Sequence, residues 1–109
     1  MPVLLKAERQ NTIYIAGPMS GMEDYNFPAF HEAAAYWRGL GWDVENPAAN
    51  GVVEGATWQD YMLSCLTQIG VCGSMYMLTG WEKSKGATEE HRLAQTFGLN
   101  VIYQGYEWS

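Results

Sequence analysis

The sequence predicts an α/β fold, a doubly wound parallel sheet of four to five strands with flanking helices. Three observations carry that expectation. Short β-branched or aromatic runs at 12–16, 42–45, 74–78 and 100–103 alternate with helical patterns, the order in which βαβ units are written. Glycine, proline and asparagine punctuate the junctions, as at Gly17-Pro18, Gly39 to Gly41 and Asn46-Pro47. Finally, 109 residues at 48% hydrophobic and 17% charged suit one domain with its own core.

Residues 1–11 are polar and weakly patterned, which predicts a loose arm or short edge element, with the single domain running over 12–109. Thr12-Ile13-Tyr14-Ile15-Ala16 reads as a buried strand ended by Gly17-Pro18. The following loop, 17–22, is rich in residues that let backbone approach a ligand, although taken alone it reads more simply as an ordinary turn. Asn26 is expected to cap a helix opened by Phe27-Pro28, whose face Phe27, Phe30, Ala34 and Trp37 runs to about Arg38. Residues 42–45 alternate as a second strand, and Asn46-Pro47 opens a loop to Ala56. Thr57 with Asp60 resembles a capping box for a second helix, with Trp58, Met62, Cys65, Leu66 and Ile69 on one face. A third strand at 74–78, a third helix at 86–97 and a fourth strand at 100–103 complete the pattern. In such sheets ligands bind beyond the carboxyl ends of the strands, where loops 17–26, 46–56 and 80–86 should meet.

Composition narrows the function. A net charge of −6 with six Lys plus Arg lacks the clustered cations that a nucleic-acid polymer requires, leaving small ligands or protein partners. No run of about 18 apolar residues is present and the N-terminus lacks a signal-peptide core, so a cytoplasmic protein without membrane contact is expected. Cys65, Cys72, His31 and His91 share no ligand spacing; no metal and no cofactor are implied. The chemistry concentrates in 80–91. Glu90 falls on the inward stripe Ala87, Glu90, Ala94, Phe97, where a carboxylate is costly to bury unless it is paired or used. It is either a nucleophile or base, or the partner of Arg92 or Lys85. Tyr14 reads as core or catalytic, Trp81 as a base-stacking face or loop packing, and His91 as surface.

Taken together, Ile13-Tyr14-Ile15-Ala16-Gly17-Pro18-Met19-Ser20-Gly21, Asn26-Phe27-Pro28-Ala29-Phe30, Asn46-Pro47, Trp58-Gln59-Asp60-Tyr61-Met62 and Gly80-Trp81-Glu82-Lys83-Ser84-Lys85-Gly86-Ala87 resemble one family. It comprises short bacterial and phage proteins of the nucleoside 2-deoxyribosyltransferase-like superfamily, which includes 2′-deoxynucleoside 5′-monophosphate N-glycosidases. The resemblance spans roughly 12–103 and implies a flavodoxin- or Rossmann-like sheet. It further implies cleavage of an N-glycosidic bond, by hydrolysis or deoxyribosyl transfer, with Glu90 attacking the anomeric carbon and Tyr14 orienting it. Ser84 matches a phosphate-binding serine, and Gly17, Met19 and Gly86 would supply cradle amides, with Trp81 beside them.

Cys65 and Gly73 depart from the family pattern, standing where it has aspartates, the first of them the proton donor to the leaving base. General acid catalysis contributes about 10²–10⁴-fold, so the alternative is a catalytically impaired protein that senses or sequesters a nucleotide or nucleotide signal. A structural or interaction protein with a vestigial pocket is the third reading. Tyr25, Trp42, Tyr61, Tyr106 and Trp108 are more aromatic surface than so small a core readily hides. With the superfamily's habit of assembly, they predict a homodimer or a dimer of dimers.

Overall fold

The computed structural model describes residues 3–107. Trp108 therefore lies outside the described residues. The elements are α1 (Lys6–Arg9), β1 (Thr12–Ala16), α2 (Phe27–Gly39), β2 (Asp43–Glu45), α3 (Trp58–Ile69), β3 (Ser74–Met77), α4 (Lys85–Thr96) and β4 (Asn100–Tyr103). Three short 3₁₀ turns, Glu23–Asn26, Pro47–Asn50 and Trp81–Lys83, lie in the loops beyond the carboxyl ends of β1, β2 and β3.

The strands form one parallel sheet in the order β2-β1-β3-β4, with Tyr14 beside Glu45 on one side and Met75 on the other. This is a doubly wound sheet, and the alternation of β1 and β3 explains its two layers. Ile13, Ile15, Tyr76 and Leu78 face α2, where Phe30, Ala33 and Trp37 close the core. Tyr14, Ala16, Met75 and Met77 face the opposite way, toward Ile69 of α3 and Ala87 and Ala94 of α4. Trp37 meets Trp42 and Tyr76 edge-on, with ring centroids 5.4 and 5.2 Å apart. No helix among the described residues is long and apolar enough to cross a membrane.

Several local expectations need correction. Asn26 does not cap α2 with its side chain; it is left-handed (φ 60°), and its Nδ2 donates to the Pro18 carbonyl at 3.0 Å. The preceding Asp24 and Tyr25 are left-handed too, at φ 51° and 53°. Such residues cost about 1–2 kcal/mol each, and the turn they build ties the start of α2 back to the loop after β1. Residues 6–9 form a helical turn instead of a loose arm, with the Glu8 side chain accepting from Leu5 N. The α3 stripe is also thinner than its pattern predicts. Ile69 is buried, but Leu66 and Trp58 are 41% and 37% exposed, because α3 docks mainly by its last turn. Its Thr57–Asp60 capping box is present as expected.

Candidate active site

The first two turns of α4 and the middle of β1 build the centre. Ser84 caps α4, its Oγ accepting from Ala87 N at 3.2 Å. One and a half turns on, the helix points Glu90 inward at the sheet, where only 6% of the residue remains exposed. Tyr14, fully buried on the facing side of β1, donates its hydroxyl hydrogen to Glu90 Oε2. Cys65 of α3 lines the same cavity and lies near enough to the pair for its thiol to feel the Glu90 charge.

The cations considered for Glu90 are engaged elsewhere. Arg92 pairs with Glu89 at 2.8 Å, and Lys85 Nζ sits 4.1 Å from the centroid of the Trp58 ring. Burial without a cation pushes the Glu90 carboxyl up to about 7, although the Tyr14 hydroxyl and the Cys65 thiol pull it down. Burial, followed by the Glu90 charge, raises the Cys65 thiol to about 11 and the Tyr14 phenol well above its usual value. Near neutrality this leaves one carboxyl able to switch charge, between two groups that hold their protons.

Glu90 opens onto a cavity of about 120 Å³ at the carboxyl edge of the sheet. All three expected loops reach it: Gly17, Met19 and Ser20 from the first, Pro47 from the second, and Ser84 and Gly86 from the third. A second cavity of about 210 Å³ adjoins it and shares Met19, Pro47, Tyr61 and Cys65 as walls. That chamber is mostly apolar, with Val53, Ala56 and Asp60 among its walls. The Tyr61 hydroxyl accepts from Val53 N at 3.0 Å and donates to Val53 O at 3.2 Å, fixing the loop that roofs it.

Of the sequence-predicted site residues, Tyr14, Glu90, Gly17, Met19, Ser84 and Gly86 converge on one cavity. Trp81 does not line it. Its ring stacks on His91 at 4.3 Å, and His91 Nε2 lies 2.8 Å from the Tyr103 hydroxyl, so this aromatic group belongs to a separate groove. Gly17 has a packing reason beyond the cradle, since a Cβ there would lie 2.7 Å from Leu78 Cβ. Gly73 is likewise explained by packing. A Cβ would come within 2.6 Å of the Arg9 carbonyl oxygen, at the amino edge of the sheet, opposite the cavity. Gly73 therefore lies away from Glu90, whereas Cys65 stands inside the site.

Of α3, sequence reasoning brought Cys65 alone to the site and missed Trp58, Tyr61 and Met62 beside it. Trp58, Tyr61, Met62 and Cys65 all line the cavity. Their spacing of three and four residues puts them on one helical face, and the phenol, thiol and indole N–H in that stripe were the signal that it was not plain core.

Residues 11–103 match the model of a family described as a domain of unknown function, DUF4406. The chain belongs to that family. The match takes in every strand and every site residue of the DUF4406 domain, and leaves α1 outside. No curated protein and no solved structure matches the chain.

Proposed function

We propose that this DUF4406 domain cleaves the N-glycosidic bond of a 2′-deoxynucleoside 5′-monophosphate, passing the sugar to water or to another base. The observation that carries the reading is Glu90: a buried carboxylate without a cation, held by a tyrosine hydroxyl, opening onto a cavity where sheet carboxyl ends and a helix N-terminus meet. A carboxylate buried without a cation is costly to keep ionised, which makes it a candidate functional group. The resemblance to the nucleoside 2-deoxyribosyltransferase-like superfamily supports the same assignment.

In the proposed reaction the ionised Glu90 attacks the anomeric carbon and forms a C–O bond as the C–N bond breaks. The electron pair of the broken bond goes to the base nitrogen, which takes up a proton from solvent. Tyr14 holds the carboxylate in line, and the protonated Cys65 thiol provides a weak hydrogen bond beside it. Water, or a second base, then attacks the anomeric carbon and releases the carboxylate; in either case the proton that the incoming group loses goes to solvent. The apolar side chamber suits the departing base.

Cys65 also supports a second reading, a nucleotide-binding protein without turnover, because a thiol raised to about 11 is a poor proton donor to a leaving base. Chromatographic detection of free base, with calorimetry, on the protein and its Glu90→Ala variant separates the two. Base release abolished in the variant is the expected result. Saturable binding with no release by the wild type assigns the sensor, and neither binding nor release contradicts both.

The proposal includes a homodimer or dimer of dimers. Trp58, Leu63 and Leu66 of α3 and Val52 and Val53 before it are exposed apolar surface beside the cavity. A second copy over that surface would shield the site from water.

A further inference from the structure

Glu90 is a carboxylate without a cation, buried at the wall of a cavity open to a ligand. The residue is 6% exposed, and the nearby Arg92 and Lys85 are engaged with Glu89 and the Trp58 ring. Among the described residues lining this cavity and the adjoining chamber, the titratable side chains besides Glu90 are Tyr14, Cys65, Tyr61 and Asp60. None of them is a ready acid for a departing base. Tyr14 gives its hydrogen to Glu90, and Tyr61 gives its own to the Val53 carbonyl at 3.2 Å. Asp60 accepts from Thr57 N at 2.8 Å, and that bond holds its carboxyl below the usual value, so it stays ionised near neutrality. Burial pushes the Cys65 thiol up to about 11. The chamber is otherwise mostly apolar, with Met19, Pro47, Val53 and Ala56 among its walls.

We infer that the substrate itself brings the missing cation: the base removed here carries a positive charge in the ring bonded to the sugar, as a 7-alkylated guanine or a pyridinium does. The inference rests on the reading of Glu90 as a glycosidic nucleophile and narrows its substrate class. A neutral base leaves with the electron pair of the C–N bond and becomes an anion unless it is protonated. An anion is disfavoured in a mostly apolar chamber that already holds the Asp60 carboxylate. A cationic base takes the same electron pair, which cancels its charge, and departs neutral without any proton. The step balances within the site. A Glu90 oxygen bonds to the anomeric carbon, the C–N bond breaks, and an anion and a cation become a neutral ester and a neutral heterocycle. Water then attacks the anomeric carbon, its proton goes to solvent, and Glu90 is released ionised. Poorly solvated opposite charges gain by cancelling, so the burial that disfavours the ionised Glu90 favours this displacement. Cys65 is then no defect, because the reaction asks for no acid at its position.

The test follows free base by chromatography for two matched pairs of nucleotides, with the wild type, Glu90→Gln and Cys65→Asp. One pair is 7-methyl-2′-deoxyguanosine 5′-monophosphate and 2′-deoxyguanosine 5′-monophosphate. The other is nicotinamide mononucleotide and its reduced, uncharged dihydropyridine form. In at least one pair the wild type should cleave the cationic member with a kcat/KM about a hundredfold or more above the neutral one, within the range that general acid catalysis supplies. Which pair responds tells an alkylated purine from a pyridinium. Glu90→Gln should release no base beyond the spontaneous rate. Cys65→Asp puts a carboxyl where the resembling family has its proton donor, and should raise turnover of the neutral nucleotide about tenfold or more without a matching gain on the cationic one. Where Cys65→Asp does not fold, the wild-type ratio decides. Glu90-dependent release from the neutral nucleotides as fast as from the cationic ones overturns the inference and leaves the glycosidase reading standing. A folded Cys65→Asp that leaves the ratio unchanged also overturns the inference alone. Release that persists in Glu90→Gln, or no release from any of the four, overturns both.

Discussion

The helices α2 and α3 are nearly equal in length and are used in opposite ways. α2 buries Phe30, Ala33, Ala34 and Trp37 against one face of the sheet. α3 buries Ile69 alone and holds the rest of its stripe around a cavity or toward solvent. The lesson is a division of labour across the sheet. The α2 face provides stability through close-packed aromatics, and the α3–α4 face trades packing for a cavity that holds an unpaired carboxylate.

That contrast can be broken by measurement. The largest effect is expected on the α2 face, where Trp37→Ala should lower the unfolding free energy by about 3–5 kcal/mol in chemical denaturation. A loss under about 1 kcal/mol would remove the distinction between the faces. Glu90→Gln should act in the opposite direction. Its carboxyl is raised from 4.5 to about 7 in the folded chain, so the folded state binds more protons than the unfolded state between those values. Wild-type stability should therefore carry a component that is full below about pH 4.5, declines as pH rises and is lost above about 7. Glu90→Gln should lack that decline and gain on the order of 1–3 kcal/mol at neutral pH. A variant less stable than the wild type at pH 8 contradicts the unpaired carboxylate. The smallest effect on the fold belongs to Leu63→Ser with Leu66→Ser, within about 1 kcal/mol for exposed sites. The same pair should shift sedimentation from dimer toward monomer. A wild type that sediments as a monomer at micromolar concentration contradicts the proposed assembly.

The sheet was legible because its strands are short apolar runs with clear breaks, and β1 and β4 fall where the residue pattern puts them. Glu90 was legible because a carboxylate on an inward helical stripe is conspicuous without tertiary information. The α2 entry was not legible. Three consecutive left-handed residues are stabilised by the contact of Asn26 with Pro18, which local propensity does not encode. The roles of Trp58, Tyr61 and Met62 were hidden because residues at this spacing can equally meet a core or a cavity. The packing reason for Gly73 was hidden in a similar way. Its explanation is the backbone of Arg9, brought against it only by folding.

The most direct test of Glu90 as nucleophile is intact-mass spectrometry after incubation with a 2′-deoxy-2′-fluoroarabinonucleoside 5′-monophosphate, whose fluorine slows release of a glycosyl–enzyme ester. The account predicts a mass increase equal to the fluorosugar phosphate, mapped by peptide digestion to Glu90 and absent from Glu90→Gln. Release of base without any adduct, or an adduct on another residue, would contradict it.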